Sequence, residues 1–130
     1  MSKARIKQHL WEILAILLAL GLGVLVISTL QARRSSADDI AHARARNELR
    51  VLLAALNGYQ QEQQALPTTQ AGLQALHVAG FLPHVPLDPW GRPYVYRHPG
   101  RLRDFDLLST GPDGIESRDD IAIWRLYGQP

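Results

Sequence analysis

The chain has no cysteine among its 130 residues. A disulfide framework and any Cys-ligated metal site are excluded, and cysteine usage says nothing of the redox compartment. Proline is missing over a long interval: all 8 prolines lie at or beyond Pro67, and none falls from Leu10 to Leu66. That interval lacks the strongest helix breaker. An excess of one charge is missing too. Lys and Arg number 14 against 12 Asp and Glu, a net +2, too even for the basic stripe that nucleic-acid binding needs. No nucleophile motif, glycine-rich phosphate loop or paired-carboxylate pattern occurs, which points away from an enzyme. His9, His42, His77, His84 and His98 are scattered without zinc-ligand spacing and read as surface or core residues. There is no internal repeat and no low-complexity tract.

What the chain does have is one apolar run, Leu10 to Leu30, LWEILAILLALGLGVLVISTL. As a helix it would span about 31 Å, close to the hydrocarbon core of a bilayer. Its polar residues are Glu12 near the start and the Ser28-Thr29 pair near the end. A carboxylate costs a few kcal/mol at a membrane centre and less near an interface. Glu12 therefore belongs at headgroup level or beside a positive partner. Lys3, Arg5 and Lys7 make residues 1–9 a short basic flank, which predicts a cytoplasmic N-terminus and a transmembrane helix over 10–30. Arg33 and Arg34 on the far side weaken that asymmetry. A cleaved signal ending at Ser35-Ser36-Ala37 competes, although the run exceeds a signal core of about 7–15 residues. Both readings export the remainder.

Beyond Arg34 the chain turns polar without breaking. Ser36 followed by Asp38 and Asp39 offers a local helix cap, and Leu49, Leu52, Leu53, Leu56 and Tyr59 recur at helical spacing. The spacing predicts a near-continuous helix from Leu10 to Gln64; two helices with a joint at 33–37 are the alternative. Gly58 is a cost inside it of about 1 kcal/mol relative to Ala. Leu66-Pro67 ends it.

A compact region follows over 67–130, after a helical extension over 31–66. Thr68 or Thr69 caps a short helix from Gln70 to His77, with Leu73 and Leu76 inward and Gly80 as its stop. Phe81 to Leu87 reads as an extended loop, and Asp88-Pro89-Trp90-Gly91 as a turn whose Trp90 covers the core. Tyr94-Val95-Tyr96, Phe105 to Leu108 and Ile121 to Trp124 read as strands, with a second turn at Gly111-Pro112-Asp113-Gly114. The predicted class is α+β: one long N-terminal helix, its first half transmembrane, packed on a small antiparallel sheet.

Asp113, Glu116, Asp119 and Asp120 fall within eight residues. Oxygen-rich loops bind hard cations such as Ca²⁺, which takes about six to eight oxygens. The spacing is not that of an EF-hand, and a solvated acidic turn partly neutralised by Arg118 is the simpler reading.

The blocks LPTTQAGLQAL (66–76), DPWGRPY (88–94) and LSTGPDG (108–114), running on to Asp119-Asp120-Ile121, stand in a telling order. Together with the early Glu of the apolar helix they resemble the major, G-type pseudopilin family of type II secretion systems. That family's blocks read roughly YPTTEQGLEAL, DPWGNPYxY, FSLGADG and ADIGNW. The resemblance covers about residues 40 to 124 well and the whole chain in layout. It implies a type IV pilin-like fold and a single-pass inner-membrane protein with a periplasmic domain. It implies assembly with other pseudopilin subunits, through the N-terminal helices and on an inner-membrane secretion platform. The resulting short pseudopilus pushes folded proteins out through the outer-membrane secretin.

The resemblance also implies calcium. Asp113 and Asp120 match family positions, Asp119 is an additional ligand, and carbonyls near Thr110 and Ile115 complete the shell. The stretch from Gly114 to Arg118 is shorter and less glycine-rich than the usual loop. Glu12 aligns with the family's assembly glutamate, and Gly21 with its helix glycine. Other positions depart: Lys7 stands where the prepilin peptidase needs Gly, Gln8 for Phe, His9 for Thr, and Thr29 for a common Pro. The chain is therefore expected to keep its basic tail. A membrane-anchored periplasmic adaptor that does not polymerise is the alternative role.

Overall fold

A computed structural model describes the backbone of residues 3–101, 103–118 and 120–126, with side chains from residue 9 onward. The proline-free interval forms a single helix, α1, over Lys3–Gln63. Residues 33–37 lie inside it, so there is no joint there. Ser36 caps nothing, and the neighbouring Ser35 hydroxyl donates to the Gln31 carbonyl one turn back (3.2 Å). With no breaker present, the hydroxyl is satisfied inside the helix rather than at a new start.

The chain divides into two compact units, Met1–Asp38 and Asp39–Pro130. In the first, the large apolar side chains from Leu10 to Leu30 are exposed, Trp11 at 74% and Leu18 at 76%. The Ser28 and Thr29 hydroxyls donate to the carbonyls of Leu25 and Val26, each at 2.9 Å. The two polar side chains near the end of the run are thus satisfied within the helix, as an apolar environment requires.

In the second unit the predicted stripe is the core face of α1. Leu49, Leu52 and Leu56 are fully buried, Ala45 and Ala55 flank them, and Tyr59 packs at the margin. Fully burying a leucine contributes about 1.5–3 kcal/mol. Gly58 has a purpose here: a Cβ at that position would lie 3.1 Å from the Phe81 ring. α1 stops earlier than Pro67, at Gln63. Gln64 adopts a left-handed conformation (φ 56°), and its amide donates to the Gln61 carbonyl at 2.7 Å.

The short helix α2 forms over Gln74–Val78 rather than from Gln70. Thr68 caps the turn before it instead: its hydroxyl accepts from the Ala71 N–H and its carbonyl from the Gly72 N–H. Leu73 and Leu76 point inward as expected, and Gly80 (φ 83°) ends α2. The Phe81 N–H then closes onto the Leu76 carbonyl at 2.8 Å, a Schellman arrangement.

Strands β1 (Val95–Arg97), β2 (Asp106–Ser109) and β3 (Ile121–Ala122) form an antiparallel sheet in the order β1-β2-β3. Val95 pairs with Leu108, Arg97 with Asp106, and Ser109 with Ile121. All four residues of β2 are buried. Ile123 and Trp124, expected in the third strand, instead begin a 3₁₀ turn over Ile123–Arg125. The α+β class and the small antiparallel sheet hold.

Candidate functional site

The loop from Thr110 to Asp120 joins β2 to β3 and carries the residues expected to bind calcium. Its foundation is Asp88, 3% exposed. One carboxylate oxygen accepts from the main-chain N–H groups of Trp90 (3.1 Å) and Arg92 (2.8 Å). The other accepts from the Ser109 hydroxyl at 2.7 Å, whose oxygen in turn accepts from the Gly111 N–H. A buried carboxylate is tolerable only when so satisfied. The proline turn after Asp88 is thereby fastened to the start of the loop. The turn is further closed by Gly91, at φ 80°, donating to the Asp88 carbonyl.

Arg92 leaves that turn and crosses to the loop, donating to the carbonyls of Gly111 (2.6 Å) and Pro112 (3.3 Å). Arg97, on β1, donates to its register partner Asp106 (3.2 Å) and, through both terminal nitrogens, to Glu116 at 2.7 and 2.9 Å. Arg101 adds a contact to Glu116 at 3.1 Å. These hydrogen bonds, those of Arg97 above all, hold the Glu116 carboxyl below the usual glutamate range. Arg125 donates to the carbonyls of Arg118 and Asp120. Beside the loop a depression of about 390 Å³ is walled by Arg97, Arg101, Arg103, Glu116, Asp120 and Trp124.

Asp113 accepts from the Ile115 N–H, and Asp120 from the Ser117 N–H, each at 3.1 Å. Thr110 is buried and Ile115 exposed. Asp119 lies outside the described residues. Among the described residues no three His, Asp or Glu side chains converge into a metal-holding group. The carbonyls of Gly111, Pro112, Arg118 and Asp120 and the carboxylate of Glu116 already accept from arginines. The carboxylates of Asp113 and Asp120 are not among these groups; each accepts a main-chain N–H instead. Within the acidic loop, Glu116 is paired with Arg97 and Arg101.

Glu12, the other expected site residue, lies on α1 with its side chain 61% exposed and one carboxylate oxygen 3.4 Å from His9 Nδ1. The structure adds residues that sequence reasoning missed: Asp88, Arg92, Arg97, Arg125, and Tyr94 with Glu48. Tyr94 donates its hydroxyl to Glu48 on α1 at 2.6 Å, and Glu48 also accepts from Arg44. The one sequence signal for Arg92 is an arginine inside a turn block whose other charged residue is Asp88.

Comparison with known proteins agrees with this architecture. The family model of type II secretion system protein G matches residues 33–124. The chain is 35% identical to the type II secretion system core protein G of Klebsiella pneumoniae, over 90% of this chain and 92% of that one. It is 35% identical to the core protein G of Pseudomonas aeruginosa, over 84% of each. The crystal structure of the major pseudopilin from the type 2 secretion system of enterohaemorrhagic Escherichia coli superposes with a TM-score of 0.66 at 32% identity, covering 74% of this chain and 93% of that one. An apolar N-terminal helix that fits a single-pass membrane anchor, joined to an α+β domain of this build, places the chain in the protein G family of type II secretion systems, and it is a pseudopilin.

Proposed function

We propose that this chain is the repeating subunit of a pseudopilus and that Glu12 is its assembly residue. The observation that carries the reading is the apolar face of residues 10–30, exposed along its whole length, with one acid at its start. Such side chains need lipid or neighbouring helices around them. In lipid the carboxylate of Glu12 requires a positive partner, and pairing offsets part of its desolvation. The N-terminal amine or a basic group of a neighbouring subunit supplies it, so that subunits enter the filament in one register.

In this reading residues 1–9 are cytoplasmic, 10–30 cross the inner membrane, and the helix extension 31–66 and domain 67–130 are periplasmic. Growth of the filament from an inner-membrane platform then pushes folded proteins toward the outer membrane. The role is structural. With Lys7 where the family's cleavage site has Gly, the chain enters the filament with its basic tail attached.

The test replaces Glu12 with Ala and, separately, with Gln, and scores filament assembly and secretion. Loss of both with Ala is the expected result; unchanged assembly overturns the role. Crosslinking between N-terminal helices should give ladders, and a single species would favour the non-polymerising adaptor. Intact mass of the membrane-extracted protein should include Met1–Lys7; a chain starting at Gln8 rules out the retained tail.

A further inference from the structure

We propose that three guanidinium groups hold the loop between β2 and β3 closed, in the manner of a bound divalent cation, so that the domain keeps this loop without calcium. The loop is gripped at its start, middle and end. At the start, Arg92 donates to the carbonyls of Gly111 and Pro112. Its guanidinium lies so close over the turn that a Cβ added to Gly114 would sit 2.6 Å from its Nε. In the middle, Arg97 holds both oxygens of Glu116 and is itself braced by Asp106 across the sheet. At the end, Arg125 donates to the carbonyls of Arg118 and Asp120.

Each arginine reaches in from a different ordered element: the turn built on Asp88, strand β1, and the 3₁₀ turn after β3. A hard cation closes a loop by collecting oxygen lone pairs from carbonyls and carboxylates along the chain. A guanidinium can gather carbonyl and carboxylate oxygens in a similar way, through directional N–H donors, and carries a permanent charge. Here four carbonyls and one carboxylate are already collected. The fixed positive charges that collect them also repel a dication brought to the same place. The inference goes beyond the pseudopilus reading and does not rest on it, since the same loop would behave alike in a non-polymerising protein.

The experiment uses the full chain in detergent micelles. Thermal unfolding is followed by aromatic circular dichroism, with excess CaCl₂ and with EGTA. The wild-type midpoint should move by less than about 1 °C between the two, against the roughly 4–8 °C that accompanies loss of one sizeable interaction in a domain of this size. Arg97→Ala should lower the midpoint by several degrees in both buffers. Should that variant fail to fold, Arg92→Lys and Glu116→Gln, which keep bulk and remove only part of the network, should each give a smaller drop that is independent of calcium. Two results overturn the proposal. One is a wild-type midpoint that falls by several degrees in EGTA and recovers with CaCl₂. The other is a calcium-insensitive wild type whose Arg92→Lys and Glu116→Gln variants melt as it does.

Discussion

Tyr94 and Glu48 lie 46 residues apart in the chain and meet through a 2.6 Å hydrogen bond that ties the entrance of β1 to the core-facing side of α1. The hydroxyl donates to a carboxylate that is only partly exposed and is also held by Arg44. Charge-assisted bonds of this kind are the stronger class. Tyr94→Phe should destabilise the protein by about 1.5 kcal/mol, read as a lowered midpoint of thermal unfolding. Glu48→Gln, which can still accept, should cost less. A Phe variant as stable as wild type would mean that the bond carries no net stability.

The same burial governs behaviour in alkali. Desolvation, reinforced by the bond to Glu48, drives the Tyr94 phenol far above its ordinary value of 10.0. Desolvation and, secondarily, Tyr59 push Tyr96 up to about 12. A raised phenol is neutral in both states below pH 10, so these two groups add no pH dependence to stability there. Above pH 10 the unfolded chain loses these protons and the folded chain does not, so stability falls as pH rises toward 12. Absorbance at the tyrosinate band should show these two phenols ionising late, together with unfolding. Ionisation of every tyrosine near pH 10, with structure intact, would contradict this.

Acid should act on the loop. Hydrogen bonds from Arg97 lower the Glu116 pKa in the folded state, followed by the charges of Arg97 and Arg101. A depressed carboxyl contributes its stability above the ordinary glutamate value and loses it as pH falls below that value. The difference in melting midpoint between wild type and Glu116→Gln should therefore be present at neutral pH and shrink below about pH 4. A difference that persists unchanged in acid would remove the ion pair as its cause.

Gly58 should resist enlargement. Alanine in place of glycine favours a helix by about 1 kcal/mol, but a Cβ there presses on the Phe81 ring at 3.1 Å. Gly58→Val adds two more carbons to that contact and should destabilise by about 1–3 kcal/mol. Chemical denaturation of the full chain in detergent measures it, and a Val variant equal to wild type would show that Phe81 can withdraw without loss.

The long helix was legible because its signals are local: no proline, apolar spacing of three and four, a leucine stripe. The turns at Asp88 and Gly111 were legible for the same reason, since proline and glycine act on their own residues. What stayed hidden depends on partners distant in the chain. Arg97 meets Asp106 only because the register pairs them, and meets Glu116 only because the loop folds back 19 residues later. Ile123 and Trp124 have the composition of a strand, yet β3 pairs with β2 only through Ile121 and Ala122, and Arg125 turns back onto the loop. Glu116 illustrates the limit well. By sequence it is one acid in an acidic run, and only the folded sheet shows which cations it faces.

The three-stranded sheet has a consequence for crowding. Its outer strands are three and two residues long, and the middle strand is buried at all four of its residues. So little edge gives another polypeptide almost nothing to extend by strand addition. In the pseudopilus we propose, neighbouring copies can touch through side chains and helices without their sheets fusing.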